Sequence, residues 1–210
     1  MKIIIFGSTG TIGKHLVMQS LNEGYEVYAF CRDTKKIGEI KHSNLNVIEG
    51  DVLNQNDVNR ATKQMDAVCI VLGSGKNRKS IVRSEGTKTI IEGMKKNGVE
   101  RLLCQTTLGV GDSRGNLNFF WKHIMFGWFL KQVFNDHQLQ ESYVKKSGLN
   151  WTIIRPGAFT DGEKTGVYRH DFDSNDRTVK LKISRADVAD FIIKQINAKE
   201  YLHKTPGLSY

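Results

Sequence analysis

The sequence predicts an α/β fold in which a parallel sheet is covered by helices on both faces. Two observations carry this. Short apolar runs rich in β-branched residues recur along the chain and alternate with stretches of helical period: "KIIIF" (2–6), "EVYAFC" (26–31), "LNVIEG" (45–50), "AVCIVL" (67–72), "RLLCQ" (101–105) and "NWTIIR" (150–155). The runs also lack an apolar-in, polar-out alternation, as expected of strands buried on both faces.

The helical stretches follow in order. Residues 11–22 bring Ile12, Leu16 and Leu21 to one face. Residues 82–97 do the same with Ile90, Ile91 and Met94 and stop at Asn97-Gly98, a helix-ending pair. Residues 185–197 form a third amphipathic helix with Ser184 as its N-cap. There is no internal repeat, and the two prolines are Pro156 and Pro206. The 210 residues fit one domain, 1–210, long enough for a sizeable core.

Composition narrows the partners. Hydrophobic residues make up 39% and charged residues 25%, an ordinary soluble balance. The net charge of +9 and pI near 9.4 favour anionic partners. The basic residues are scattered, apart from a knot at "KNRKSIVR" (76–83), and no nucleic-acid motif accompanies them, so nucleic acid is not an expected partner. Lys76, Arg78 and Lys79 of the knot face either solvent or the mouth of a pocket. Cys31, Cys69 and Cys104 lack metal-ligand spacing and read as buried thiols in a reducing compartment. Met1-Lys2 leads directly into a β-like run, without a signal peptide, and no apolar stretch is long enough to span a membrane. A cytoplasmic protein without a membrane partner is expected.

One segment departs from the alternation. Residues 109–134 begin polar and glycine-rich, then gather Phe119, Phe120, Trp121, Phe126, Trp128, Phe129 and Phe134. Two readings stand: a helix packed on the sheet edge or on a partner, or a lid followed by the aromatic wall of a ligand pocket.

The opening "IIIFGSTGTIGKHL" (3–16) is the main functional signal: strand, Gly7-x-x-Gly10-x-x-Gly13, helix. In a Rossmann-type doubly wound sheet this arrangement receives a dinucleotide. Gly7 turns off the strand, Gly10 lets a pyrophosphate approach the backbone, and Gly13 lets the helix pack closely. The N–H groups near Thr11 and Ile12 then face the phosphates at the helix start. The second strand ends in "AFCRDTKK", with Arg32 where an acidic residue would select a ribose hydroxyl. A guanidinium instead grips a 2′-phosphate, which favours NADP(H). Asp33 beside it faces solvent or caps the turn.

With "GDVL" (50–53), "VLG" (71–73), "SEGTKTIIEGMKKNGVERLL" (84–103), "SGLNWTIIRPGAFTDG" (147–162), "TGVY" (165–168) and "SRADVADFI" (184–192), the chain resembles the atypical short-chain dehydrogenase/reductases. The similarity is to the NAD(P)H-binding, NmrA-like branch that includes biliverdin-IXβ reductase/flavin reductase. The resemblance spans nearly the whole chain. It implies a single domain with a small lobe on the substrate side. It also implies that Gly7, Thr9, Gly10, Thr11, Ile12 and Gly13 hold the pyrophosphate, with Arg32 on the 2′-phosphate. Asp51 and Val52 would flank the adenine. Leu72, Gly73 and Ser74 would line the ribose and nicotinamide side, and Pro156, Gly157 and Ala158 would support the nicotinamide.

The departures bear on the chemistry. No Tyr-x-x-x-Lys pair is present: Tyr143 is followed by Lys145 and Lys146, at the wrong spacing. Where these relatives have a serine after the fifth strand, the chain has Thr106 and Thr107, with Thr107 the matching hydroxyl and catalytic candidate. Where they have a histidine after the sixth-strand proline, it has Gly157, which puts biliverdin reduction in doubt. His137 and His123 read first as surface or structural residues; the resemblance of the Asp136-His137 pair to one in the relatives also implies that His137 approaches the pocket. Without a placed acid, hydride transfer suits a conjugated acceptor, whose product anion is delocalised and takes its proton from water. The expectation is an NADPH-dependent reductase of a flat, anionic flavin, quinone or tetrapyrrole-like compound. The alternative is a non-catalytic NADP(H)-sensing regulator of the NmrA-like type.

Overall fold

The computed structural model describes every residue except Glu39 and Lys76. The six apolar runs form β1 (Lys2–Phe6), β2 (Glu26–Cys31), β3 (Leu45–Glu49), β4 (Ala67–Ile70), β5 (Arg101–Gln105) and β6 (Asn150–Pro156). Gly50, Val71 and Leu72, read as strand residues, instead lie just past strand ends at the sheet's carboxyl edge. Four short strands lack a sequence signal of their own: β7 (Ala158–Thr160), β8 (Arg169–His170), β9 (Lys182–Ser184) and β10 (Gly207–Ser209). The main sheet runs β3-β2-β1-β4-β5-β6-β10-β8, and β7 pairs with β9 separately. Adjacent strands are parallel except for β8, which lies antiparallel to β10 at the edge.

The helices are α1 (Thr11–Asn22), α2 (Gln55–Ala61), α3 (Val82–Asn97), α4 (Lys131–Lys145) and α5 (Arg185–Gln195). α3 ends at Gly98 with φ +68°, where a side chain would be strained. Ser184 caps α5 as expected, its Oγ accepting the Asp187 N–H at 3.0 Å. α5 stops at Gln195, two residues short of the sequence reading. α2 was not anticipated; Asn54 starts it by accepting the N–H groups of Asn56 and Asp57.

The sheet divides two apolar layers, which is why its strands carry no polar face. Ile3 and Ile5 of β1 pack with Leu16 and Val17 of α1 and with Val188 and Ile192 of α5. Their neighbours Ile4 and Phe6 point the other way, among Val58 of α2, Ile90 and Met94 of α3 and Val144 of α4. Each fully buried Ile or Phe of this kind contributes on the order of 1.5–3 kcal/mol. The three cysteines are free and buried, and burial pushes the Cys69 thiol up to about 12.

One charged cluster crosses this core at the carboxyl edge. Arg155 of β6, 1% exposed, forks onto Glu141 of α4: Nε donates to Oε1 at 2.9 Å and Nη2 to Oε2 at 2.7 Å. Its Nη1 also pairs with Asp112, in a short 3-10 helix over Gly111–Asn116. Thr106 donates to the same Glu141 Oε1 at 2.9 Å. Burial raises the Glu141 pKa, but the Arg155 hydrogen bonds and the Arg155 and Lys145 charges outweigh it and hold the carboxyl below its ordinary value of 4.5. A carboxylate whose pKa is depressed in the folded state stabilises the fold above its unfolded pKa and loses that contribution as pH falls through the folded value. Glu141→Gln is therefore expected to lower the unfolding free energy by about 3 kcal/mol near neutrality. Urea titrations at a series of pH values should show the gap to wild type narrowing as pH drops below about 4.5.

Candidate active site

β1 pairs with β2 on one side and β4 on the other, so the chain reverses its winding there and leaves a crevice beyond the strand ends. The glycine turn sits at this crevice. Gly7 has φ +93°, and a Cβ on it would lie 2.5 Å from the Val71 carbonyl oxygen. A Cβ on Gly13 would lie 2.1 Å from the Gly7 carbonyl oxygen, so α1 packs against the turn at a distance only glycine allows. Gly10 differs: its nearest neighbours would be Gly7 O at 3.0 Å and Val71 O at 3.9 Å, so a side chain there would occupy the crevice. No side chain caps α1 and no acidic residue stands in its first turn. The N–H groups of Thr11 and Ile12 are thus available to an anion.

The crevice has two chambers. One, of about 310 Å³, is lined by Gly7, Thr9, Gly10, Thr11, Arg32, Asp51 and Val52. Arg32 stands exposed at its rim. Asp33 turns away to cap the next 3-10 turn, accepting the Lys35 N–H at 3.1 Å and pairing with Lys36 at 3.8 Å, so it does not oppose an anion beside Arg32. Asp51 is held in a turn of its own: Oδ1 accepts the Leu53 N–H at 3.0 Å. Val52 is buried; a Cβ on Gly86 of α3 would meet both Val52 and Leu72 at 3.0 Å.

The second chamber, of about 300 Å³, shares Gly10, Thr11, Leu72 and Gly73 with the first and also takes in Ile12. It continues to Thr107, Pro156, Gly157 and Ala158. Ser74 lines neither chamber; it is half-buried, and its carbonyl accepts the Asn77 N–H at 3.1 Å. Arg78 and Lys79 are exposed and also line neither, while Lys76 lies outside the described residues.

The aromatic segment resolves into the 3-10 helix 111–116, a π-helix over Phe120–Phe129, and α4. Trp121 and Phe126 form part of the second chamber's wall, with Leu130 and Val133. Phe134 is buried, whereas Phe119, Phe120, Trp128 and Phe129 are half or more exposed. One face of the segment is pocket wall, the aromatic wall of the second sequence reading, and the other face is uncovered.

The polar groups of the second chamber are few. Thr106 is committed to Glu141, whereas Thr107 is half-buried, its hydroxyl making only a long 3.4 Å contact to the Leu108 carbonyl. His137 is buried and lines the chamber, as the Asp136-His137 resemblance implied, and does not lie on the surface. Gln140 Nε2 donates to Thr87 at 3.0 Å, which leaves Gln140 Oε1 to accept from His137 Nδ1, also at 3.0 Å. The Nδ1–H tautomer follows from this network. Burial, reinforced by the Arg83 charge, pushes the His137 pKa down to about 4. At neutral pH the ring is uncharged, with Nε2 unprotonated, so it supplies no proton. Tyr143 is engaged elsewhere, 3.3 Å from Glu85, and His123 is exposed beside Phe119. Among the described residues no metal-binding cluster occurs, and no helix is long and apolar enough to cross a membrane.

Two residues of this chamber were missed from sequence. Arg83 stands in the wall beside His137. Leu181 has φ +54°, a strained conformation for a branched side chain, and its carbonyl accepts the Ala158 N–H at 2.8 Å. Burial of the first and the dihedral of the second leave no trace in local sequence.

Residues 7–199 match the family model described as NAD(P)H-binding. The chain belongs to the NAD(P)H-binding family. It is similar to the crystal structure of the oxidoreductase ylbE from Lactococcus lactis, with 26% identity and a TM-score of 0.85 over 100% of this chain and 90% of that one. ChuY, an anaerobilin reductase from Escherichia coli O157:H7, has the same fold at 24% identity and a TM-score of 0.83, over 100% of this chain and 97% of that one. An uncharacterized chloroplastic protein of Arabidopsis thaliana is 28% identical over 95% of this chain and 73% of its own length.

The departure at Gly157 has a physical basis. A Cβ there would fall 2.6 Å from the Leu181 carbonyl carbon and 2.7 Å from its oxygen, so a histidine at this position would displace the Leu181 backbone. Gly157→Ala is expected to destabilise the protein by about 1–3 kcal/mol through this overlap. Comparing urea midpoints of variant and wild type measures it; an unchanged midpoint would mean that the 181 loop yields freely.

Proposed function

We propose that this NAD(P)H-binding oxidoreductase uses NADPH to reduce a flat, conjugated, anionic small molecule. The observation that carries this reading is a continuous crevice that passes from an uncapped helix start into a largely apolar chamber whose one histidine among the described lining residues is buried and neutral near pH 7. The residues present fit a dinucleotide: Gly10 keeps the crevice open where a Cβ would intrude, and the first-turn N–H groups of α1 have no competing cap.

In this reading Gly7, Thr9, Gly10, Thr11, Ile12 and Gly13 cradle the pyrophosphate, and Arg32 takes the 2′-phosphate. Asp51 and Val52 flank the adenine. Leu72 and Gly73, which border both chambers, lie beside the ribose and nicotinamide, and Pro156, Gly157 and Ala158 back the ring. When bound, the reduced nicotinamide supplies the hydride. The protein's part is to orient the acceptor against the apolar wall of Trp121 and Phe126 and to exclude water there. Thr107 offers a hydroxyl to the acceptor oxygen. Neutral His137 leaves the chamber's proton supply to Thr107 and solvent. A simple ketone would develop an alkoxide with no acid to quench it, whereas a flavin, quinone or tetrapyrrole-like acceptor spreads the charge.

The uncovered aromatic face of Phe119, Phe120, Trp128 and Phe129 favours a second reading, a non-catalytic NADP(H)-sensing regulator that docks a partner there. Steady-state NADPH oxidation with a panel of flavins and quinones separates the two: turnover of any of them supports the reductase, and NADPH binding without turnover favours the regulator. Arg32→Ala is expected to weaken NADPH binding about tenfold, the scale of one charged hydrogen bond, and to leave NADH binding nearly unchanged. Titrating both cofactors against both proteins measures this; equal losses would remove the 2′-phosphate assignment.

A further inference from the structure

The second chamber contains one guanidinium that, among the described residues, has a counter-charge at the limit of hydrogen-bond distance and no other partner. Arg83 stands in the first turn of α3, its side chain 11% exposed, and it lines the chamber. Among the described residues it makes no hydrogen bond, and its Nη1 is buried without a partner. Behind it lies Asp136 of α4, which does not line the chamber. Asp136 Oδ1 is taken by the Ser84 N–H at 3.0 Å. Asp136 Oδ2 approaches Arg83 Nη1 only to 3.5 Å and is itself without a hydrogen-bond partner. The carboxylate therefore balances the charge of Arg83 through one long contact and leaves most of its fork of donors unengaged.

Unpaired donors on a buried guanidinium are costly, and such groups are ordinarily satisfied. A planar fork of this kind matches a carboxylate or phosphate bidentately. The other ionisable group among the described lining residues, His137, is neutral near pH 7 and has given Nδ1 to Gln140. Arg83 is thus the single full charge that the chamber wall presents among those residues, in a wall that also includes the apolar surface of Trp121 and Phe126. The exposed knot cations Arg78 and Lys79, considered for this role from sequence, lie outside the wall.

We propose that Arg83 is the specificity residue of this chamber, binding the oxyanion, a carboxylate or a phosphate, of a planar aromatic ligand whose ring lies against Trp121 and Phe126. Turnover of that ligand rests on the reductase reading; its binding does not.

The test begins with redox-inert probes, so it needs no turnover. 2-Naphthoate and its neutral counterpart 2-naphthamide are titrated calorimetrically into the protein saturated with NADP⁺. The wild type is expected to prefer the carboxylate by about tenfold or more, the scale of a charged hydrogen bond. Arg83→Met should abolish the preference while changing NADP⁺ affinity less than about twofold, since the proposed contact is to the ligand alone. Because that variant leaves Asp136 buried without its counter-charge, the double variant Arg83→Met/Asp136→Asn, which keeps an acceptor for the Ser84 N–H, is measured in parallel.

FMN against riboflavin, by binding and by NADPH oxidation, forms the phosphate arm. A wild-type preference that occurs in this arm alone, and is lost in the variants, identifies the oxyanion as a phosphate; one that occurs in the naphthoate arm alone, and is lost in the variants, identifies it as a carboxylate. If both arms show no charged-over-neutral preference in the wild type, or if any preference survives in the variants, the proposal is overturned. It is also overturned if NADP⁺ affinity falls together with the preference, because Arg83 then serves the cofactor. If the naphthoate preference behaves as expected but no acceptor is reduced, the reductase reading fails and the Arg83 site stands.

Discussion

The bidentate pair between Arg155 and Glu141 holds together the parts that enclose the second chamber, although neither side chain lines it. Arg155 is followed directly by Pro156 and Gly157, at one end of the chamber. Glu141 anchors α4, which bears His137 four residues earlier, and also accepts from Thr106, which fixes the end of β5 beside Thr107. Asp112 ties the 3-10 helix ahead of the aromatic segment to the same guanidinium. Two charges this deeply buried are tolerable only because every part of the fork is met, and removal of any member would leave the rest uncompensated.

The crevice follows from winding geometry. A parallel sheet whose crossovers change direction between β1 and β4 leaves an opening at that point. The glycine turn serves it in two physically different ways. Gly7 and Gly13 are glycines because protein backbone occupies the space of their side chains. Gly10 meets only slight crowding from its own turn, and its missing side chain leaves room outside the protein core. The three residues look equivalent in sequence, and their surroundings separate them.

The electrostatics of the second chamber are unusual for their economy. Burial keeps His137 neutral, Thr106 is spent on Glu141, and Arg83 has, among the described residues, only a counter-charge 3.5 Å behind it. This is consistent with chemistry in which the acceptor's own conjugation stabilises the transferred charge.

Much of the fold was legible in the sequence because it depends on neighbours along the chain. Strand runs, helix periodicity, the Ser184 cap and the Gly98 stop are local, and the glycine turn with Arg32 at the end of the second strand has a short, ordered spacing. The cap by Asp33, one of two outcomes open from sequence, is equally local. What tertiary structure decided lies in contacts between distant residues. The residues at 109–134 divide into a 3-10 helix, a π-helix and part of α4 according to what each face meets. Ser74, adjacent to Gly73, lies away from both chambers, because one residue of turn geometry changes what a loop presents. Of the basic knot, Arg78 and Lys79 stay in solvent while Arg83 is drawn inward, because Asp136, far along the chain on α4, supplies the counter-charge that makes a buried guanidinium tolerable. Gly157 likewise answers to the Leu181 backbone, which only the pairing of β7 with β9 brings against it. Local sequence encodes conformational preference; whether a charge is buried, or a side chain has room, depends on what the folded chain places beside it.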